Sequence, residues 1–271
     1  MTERWITRGA LRLCVDDYGA GPAVLLAHGM WCDAGMFARL SAELARDHRV
    51  LVPDLRAHGR SDVPETTWTI ADLADDLFAI LEALEIPKVT LAGFSMGGMA
   101  AADFALRHGD RLTGLSLIGT SAAAEELVRV AEIKALVKII KIAGPSKFLA
   151  HEAARSTFSK EFHQRNPGEI TRWVSVVNAM RAPALVQALR AVASRPSLLE
   201  RLNEVRAPAV VVSGTADRVV RPRWSEAMQR RLPHSRLVAL PGVGHAVPTE
   251  RPMEVAALIR GLESGTRPWE G

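Results

Sequence analysis

Short apolar, β-branched runs recur along the chain at residues 23–27, 50–52, 89–92, 115–118, 210–213 and 237–240. Several are apolar at every position, the pattern of strands buried on both faces of a parallel sheet rather than on one. Between them, residues 36–46, 70–84, 98–108 and 224–231 carry helical periodicity. Strands alternating with helices predict an α/β fold, a mostly parallel central sheet flanked by helices. The opening segment, residues 5–16, breaks at Gly9 and reads as an antiparallel hairpin at the sheet edge.

The rhythm fails over residues 121–202, which hold helical patterns and no convincing strand. Gly144-Pro145, Pro167-Gly168, Pro183 and Pro196 punctuate them, and prolines at such places begin or end helices. The expected organisation is a core of residues 1–120 and 203–271 with a helical cap, residues 121–202, inserted between two strands. The helix expected over 125–142 carries Val130, Ile133, Leu136, Val137, Ile140 and Ile142, with Lys134, Lys138 and Lys141 on a more polar side. It reads either as a cap helix packed simply, with a solvated basic face, or as an apolar lid over a hydrophobic substrate, one that could sit at a membrane surface. The tail Gly265 to Gly271 reads as loose.

Composition narrows the class. A chain of 271 residues, 48% hydrophobic and 24% charged, can bury a sizeable core. Its 34 basic and 30 acidic residues give +4, read as spread along the chain without the basic stripe of a nucleic-acid binder. No apolar signal core follows Met1-Thr2-Glu3-Arg4-Trp5. The most apolar stretch, residues 127–143, is interrupted by Arg129, Glu132, Lys134, Lys138 and Lys141, too many charges for stable membrane insertion. Two cysteines, Cys14 and Cys32, build no disulfide framework. A cytoplasmic protein is expected, with a homo-oligomer left open.

The candidate chemistry starts at Gly93-Phe94-Ser95-Met96-Gly97, a G-x-S-x-G pattern between the apolar run 89–92 and a helix. The pattern alone arises by chance in roughly one chain in ten of this length. Its setting adds weight, because a strand-to-helix turn exposes the serine hydroxyl. A serine hydroxyl needs an adjacent general base, and His245, in Pro241-Gly242-Val243-Gly244-His245, follows the run 237–240. Asp217 follows the run 210–213 on a loop containing Gly214, where it can orient the imidazole. Each residue sits after its own strand, where open α/β sheets place their sites. The main-chain N–H of Met96, at the start of a helix, is a candidate oxyanion donor.

These motifs, with His28-Gly29, Asp54-Leu55-Arg56-Ala57-His58-Gly59-Arg60-Ser61 and Gly244-His245, resemble the α/β-hydrolase superfamily over residues 5 to about 262. The order Ser95, Asp217, His245 is that of its triad. The resemblance implies that Met30 N–H joins Met96 N–H in the oxyanion hole, and that His28 and residues 54–61 hold the loops around the site. The Phe-Ser-Met-Gly-Gly elbow is similar to carboxylesterases, 3-oxoadipate enol-lactonases and cofactor-free haloperoxidase/perhydrolases; dehalogenases and epoxide hydrolases carry Asp in place of Ser.

The expected activity is cleavage of a small hydrophobic ester or lactone through an acyl-enzyme. Alternatives are C–C hydrolysis, enol-lactone opening or perhydrolysis by the same triad, and a non-catalytic ligand receptor. Trp31, Trp173 and Trp68 are candidate pocket walls: pocket and core roles stand level for Trp31, and core packing is the favoured role for Trp173 and Trp68. Arg155, Arg172 and Arg181 are surface charges unless one binds a substrate carboxylate. Cys32 reads as a buried, inert thiol. His151-Glu152-Ala153-Ala154-Arg155 lacks the second histidine of a zincin, and no Gly-Lys-Ser/Thr phosphate loop occurs, so no metal and no cofactor is expected.

Overall fold

A computed structural model describes residues 1–263; the tail expectation for Gly265 to Gly271 lies outside them. The chain forms an eight-stranded sheet, in the order β1-β2-β4-β3-β5-β6-β7-β8. Strands β1 (Thr2–Arg8) and β2 (Leu11–Gly19) form the expected edge hairpin, closed at Gly9 with φ +59°. Strand β2 also runs antiparallel to β4 (Arg49–Pro53). The other pairings, through β3 (Ala23–Ala27), β5 (Val89–Phe94), β6 (Leu112–Ile118), β7 (Ala209–Gly214) and β8 (Ser235–Leu240), are parallel.

Burial explains which strands read most clearly. Every residue of β5 and of β7 is buried, so both are apolar or small throughout. Strand β8 lies at the edge and stays partly exposed, and only its apolar second half stands out in the sequence.

Helices α1 (Ala38–Leu44), α2 (Ile70–Ala83) and α3 (Met96–Arg107) pack on the sheet, α1 after a 3₁₀ turn over Ala34–Phe37. Thr69 caps α2: its hydroxyl accepts from Asp72 N–H while the Asp72 carboxylate accepts from Thr69 N–H, satisfying two otherwise unpaired donors.

Between β6 and β7 the chain is helical, with α4 (Leu127–Ala143), α5 (Lys147–Thr157), α6 (Lys160–Arg165), α7 (Pro167–Ala179) and α8 (Ala182–Ser194). Pro167 and Pro183 stand in the first turns of α7 and α8, where a missing N–H costs nothing. Helix α4 packs along α8 and buries Ile133, Val137 and Ile140. Ile142, assigned from the sequence to the apolar side, is exposed instead. Helices α9 (Pro222–Gln229), α10 (Val247–Glu250) and α11 (Pro252–Glu263) complete the chain.

Candidate active site

The end of β5 runs directly into α3 through Ser95, whose backbone sits at φ 51°, ψ −115°. A side chain there carries strain, on the order of 1–3 kcal/mol, that its surroundings must enforce. They do so by hydrogen bonds: Ser95 N–H donates to Ile118 O at 2.9 Å, and the Thr120 hydroxyl donates to Ser95 O at 2.7 Å. Gly93 and Gly97 permit the turn. A Cβ on Gly93 would lie 2.5 Å from the Gly97 carbonyl oxygen, and one on Gly97 would overlap the Ala27 carbonyl.

The turn presents Ser95 Oγ to His245 Nε2 at 3.0 Å. On the other side of the ring, His245 Nδ1 is 2.8 Å from Asp217 Oδ2. The second Asp217 oxygen accepts from Val219 N–H at 2.8 Å and Val220 N–H at 2.9 Å, which fixes the carboxylate in place. Asp217 and His245 are buried, and the Phe94 ring lies 4.9 Å from the imidazole centroid to centroid. The three residues singled out in the sequence, 122 and 28 positions apart, thus form one hydrogen-bonded chain. Such a chain can take the proton from a serine hydroxyl as it attacks.

Among the described residues, no protein acceptor takes the main-chain N–H of Met30 or Met96. Both residues line a cavity of about 630 Å³ that also contains Ser95 and His245. The loop carrying Met30 is tied to the segment after β4. His28 Nε2 accepts from Leu55 N–H at 3.0 Å, and His58 Nε2 accepts from Trp31 N–H at 3.2 Å. The Asp54 carboxylate accepts from Ala34 N–H at 2.7 Å and is paired with Arg60. Trp31 has φ 62°, so the His58 contact holds a left-handed residue beside the site.

The cavity's inner wall is apolar: Trp31, Phe94, Met99, Trp173, Leu189 and Val192 are all buried. Trp31 and Trp173 therefore stand at the cavity, whereas Trp68 is buried outside its lining. Trp173 Nε1–H points at Cys32 Sγ at 3.4 Å, and burial pushes the Cys32 thiol up to about 12, far from the reactive thiolate. The cavity mouth is charged, but its carboxylates are matched by arginines: Glu125 with Arg195, Glu126 with Arg223, Glu132 with Arg129 and Glu152 with Arg155. Arg172 pairs with Asp33 at 3.0 Å, and Arg181 lines a separate cleft with Arg56 and Arg60.

A model described as the Alpha/beta hydrolase family matches residues 24–258. The chain belongs to that family. Among solved structures, this alpha/beta hydrolase is similar to a thermophilic esterase from Thermogutta terrifontis, 31% identical, with TM-score 0.90 over 98% of this chain and 99% of the other. It is 28% identical to 3-oxoadipate enol-lactonase 1 of Acinetobacter baylyi over 211 residues, 78% of this chain and 77% of that protein. It is 27% identical to a pimeloyl-[acyl-carrier protein] methyl ester esterase of Aeromonas hydrophila over 92% of this chain and 98% of the other.

Two residues of the hydrolase's site escape sequence reasoning. The buried Glu250 accepts from Gly244 N–H at 3.2 Å and Ser159 N–H at 2.8 Å, fastening the His245 loop to the α5–α6 junction. Arg195, just past α8, is buried at the cavity with Nε unpartnered while Nη1 meets Glu125 at 2.8 Å. Only the capping prolines beside them, Pro248 and Pro196, mark these places in the sequence.

His58 gives the hydrolase an acid limit. Burial, with the neighbouring His28 ring, lowers its imidazole to about 3, against an unfolded value of about 6.5. Below pH 6.5 the unfolded chain gains a proton that the folded chain refuses, so stability falls with pH. Urea unfolding at pH 7 and pH 5 is expected to differ by about 2 kcal/mol from His58 alone. A flat profile would contradict this assignment of the neutral ring.

Proposed function

We propose that the hydrolase cleaves carboxylic esters or lactones by a Ser-His-Asp mechanism. The observation that carries the reading is the chain from Ser95 Oγ to His245 Nε2 at 3.0 Å and from His245 Nδ1 to Asp217 Oδ2 at 2.8 Å. His245 removes the hydroxyl proton as Ser95 attacks the acyl carbon, and Asp217 stabilises the imidazolium that forms. The Met30 and Met96 N–H groups receive the oxyanion, each donor contributing about 100- to 1000-fold in rate. His245 then passes the proton to the leaving alkoxide, and water activated by His245 releases the acid from the acyl-enzyme.

The helices of residues 121–202 act in this reading as a cap. An apolar inner wall supports a hydrophobic acyl group; the acids at the mouth are paired with arginines, and Arg218 and Arg221 also stand in the lining. The unpartnered Nε of Arg195 supports a second reading, an acidic lactone whose carboxylate displaces Glu125. One panel separates them: rates for p-nitrophenyl esters of rising chain length beside lactones bearing a carboxylate. The first reading expects the neutral esters to lead and Arg195→Leu to leave their KM within about threefold. A carboxylate-bearing lactone that leads the panel, with a KM that Arg195→Leu raises tenfold or more, would reverse the choice. No turnover of any member by folded protein would leave the receptor alternative.

A further inference from the structure

The outer face of α4 is the least expected surface of the molecule. Leu127 is 87% exposed, Val128 74%, Ile139 51% and Ile142 88%, and Phe148, at the start of α5, is 74% exposed. The inner face of the same helix buries Ile133, Val137 and Ile140 against the protein. A helix apolar on both sides is ordinarily covered on both.

Charge identifies the cover. Six lysines occur in the chain, and four of them, Lys134, Lys138, Lys141 and Lys147, lie on this stretch. The net charge is not spread evenly, as composition suggests. Between residues 127 and 148, five basic residues and one acidic residue give +4, the net charge of the whole chain. The acid, Glu132, is paired with Arg129. At 100° per residue, Lys141 and Lys134 border the stripe that holds Leu127, Ala131, Ile142, Val128 and Ile139, and Lys138 lies at its edge between Leu127 and Ala131.

We propose that this face docks on an anionic lipid surface. Apolar side chains enter the headgroup boundary while the lysines keep their stems along it and their ammonium groups at the phosphates. A second copy of the chain fits less well, because a two-fold contact would set the same lysines against one another. No helix among the described residues is long and apolar enough to cross a membrane, so the contact is peripheral. It is also placed for use: Val128 and Leu136 of α4 line the cavity that holds Ser95, so docking sets the cavity mouth beside the lipid.

The test is sedimentation of the full chain with vesicles of phosphatidylcholine alone or with about a third phosphatidylserine. Binding is expected only to the anionic vesicles and is expected to weaken as salt rises. Lys138→Glu with Lys141→Glu should lower the partition coefficient at least about 30-fold, at roughly fivefold for each lysine lost. Ile139→Asp with Ile142→Asp should abolish binding; neither pair lines the cavity, so thermal unfolding and turnover of a soluble short-chain ester serve as folding controls. The proposal is overturned by three results: no binding to either vesicle, equal binding to both, or variants that bind like the parent. A dimer in solution that Ile139→Asp with Ile142→Asp splits would overturn it in favour of a second copy. Because vesicle binding is read without turnover, these failures are distinguishable from a failure of the ester reading.

Discussion

Ser95→Ala is expected to lower kcat/KM for a p-nitrophenyl ester by about 10⁴- to 10⁶-fold while leaving the folded protein intact. Two features make the expectation specific. The hydroxyl is the only atom removed, and it makes the 3.0 Å contact with His245 Nε2. The bonds that hold the turn belong to the backbone, from Ser95 N–H to Ile118 O and from Thr120 Oγ1 to Ser95 O, and alanine keeps both. Thermal unfolding of the variant should therefore stay within a few degrees of the parent. The residual rate should exceed that in water, because the Met30 and Met96 N–H groups remain to polarise a bound carbonyl. Activity within tenfold of the parent, in protein free of contaminating esterase, would remove Ser95 from the mechanism.

The triad candidates could be read from the chain because each follows an apolar run and has a glycine within three positions, and the sheet brings strand ends together. Ser95, Asp217 and His245 follow β5, β7 and β8, which lie near one another in the sheet order. Local signals sufficed there, since the strand fixes position and the loop residue needs only to follow it. The cavity offers no such shortcut. Its wall is assembled from the loop after β3, the start of α3, helices α4, α5, α7 and α8, and the loop after β7. Whether Arg195 or Arg181 faces Ser95 depends on how α7 and α8 are rotated, which their apolar spacing does not determine. Ile142 is a different case: at 100° per residue it lies on the side of α4 opposite the buried Ile133, Val137 and Ile140, so its phase turns it outward and leaves it bare. The polar tethers were equally hidden, because Glu250 reaches Ser159 across 91 positions of sequence. By contrast, His28 and His58 each find their partners 27 positions away, in loops that the strands β3 and β4 already place side by side.

Asp217→Asn is expected to cost about 10³- to 10⁴-fold in kcat with little change in KM, a split that distinguishes an orienting role from substrate binding. The geometry supplies the reason. Oδ1 accepts two main-chain N–H groups, from Val219 and Val220, and Oδ2 faces His245 Nδ1. An asparagine has one oxygen to serve both sides. If the oxygen stays with the two N–H groups, the amide NH₂ points at Nδ1, which must then accept. The ring proton moves to Nε2, where it faces Ser95 Oγ and prevents the imidazole from taking the serine proton. If the amide flips instead, two part-buried N–H donors lose their acceptor, at up to about 1 kcal/mol each, and the loop after β7 loosens. Thermal unfolding tells the outcomes apart: a stable, slow variant marks the wrong tautomer, whereas a destabilised variant marks the flipped amide. A variant that is both stable and fully active would show that Asp217 serves the loop alone, and that His245 needs no carboxylate to act on Ser95.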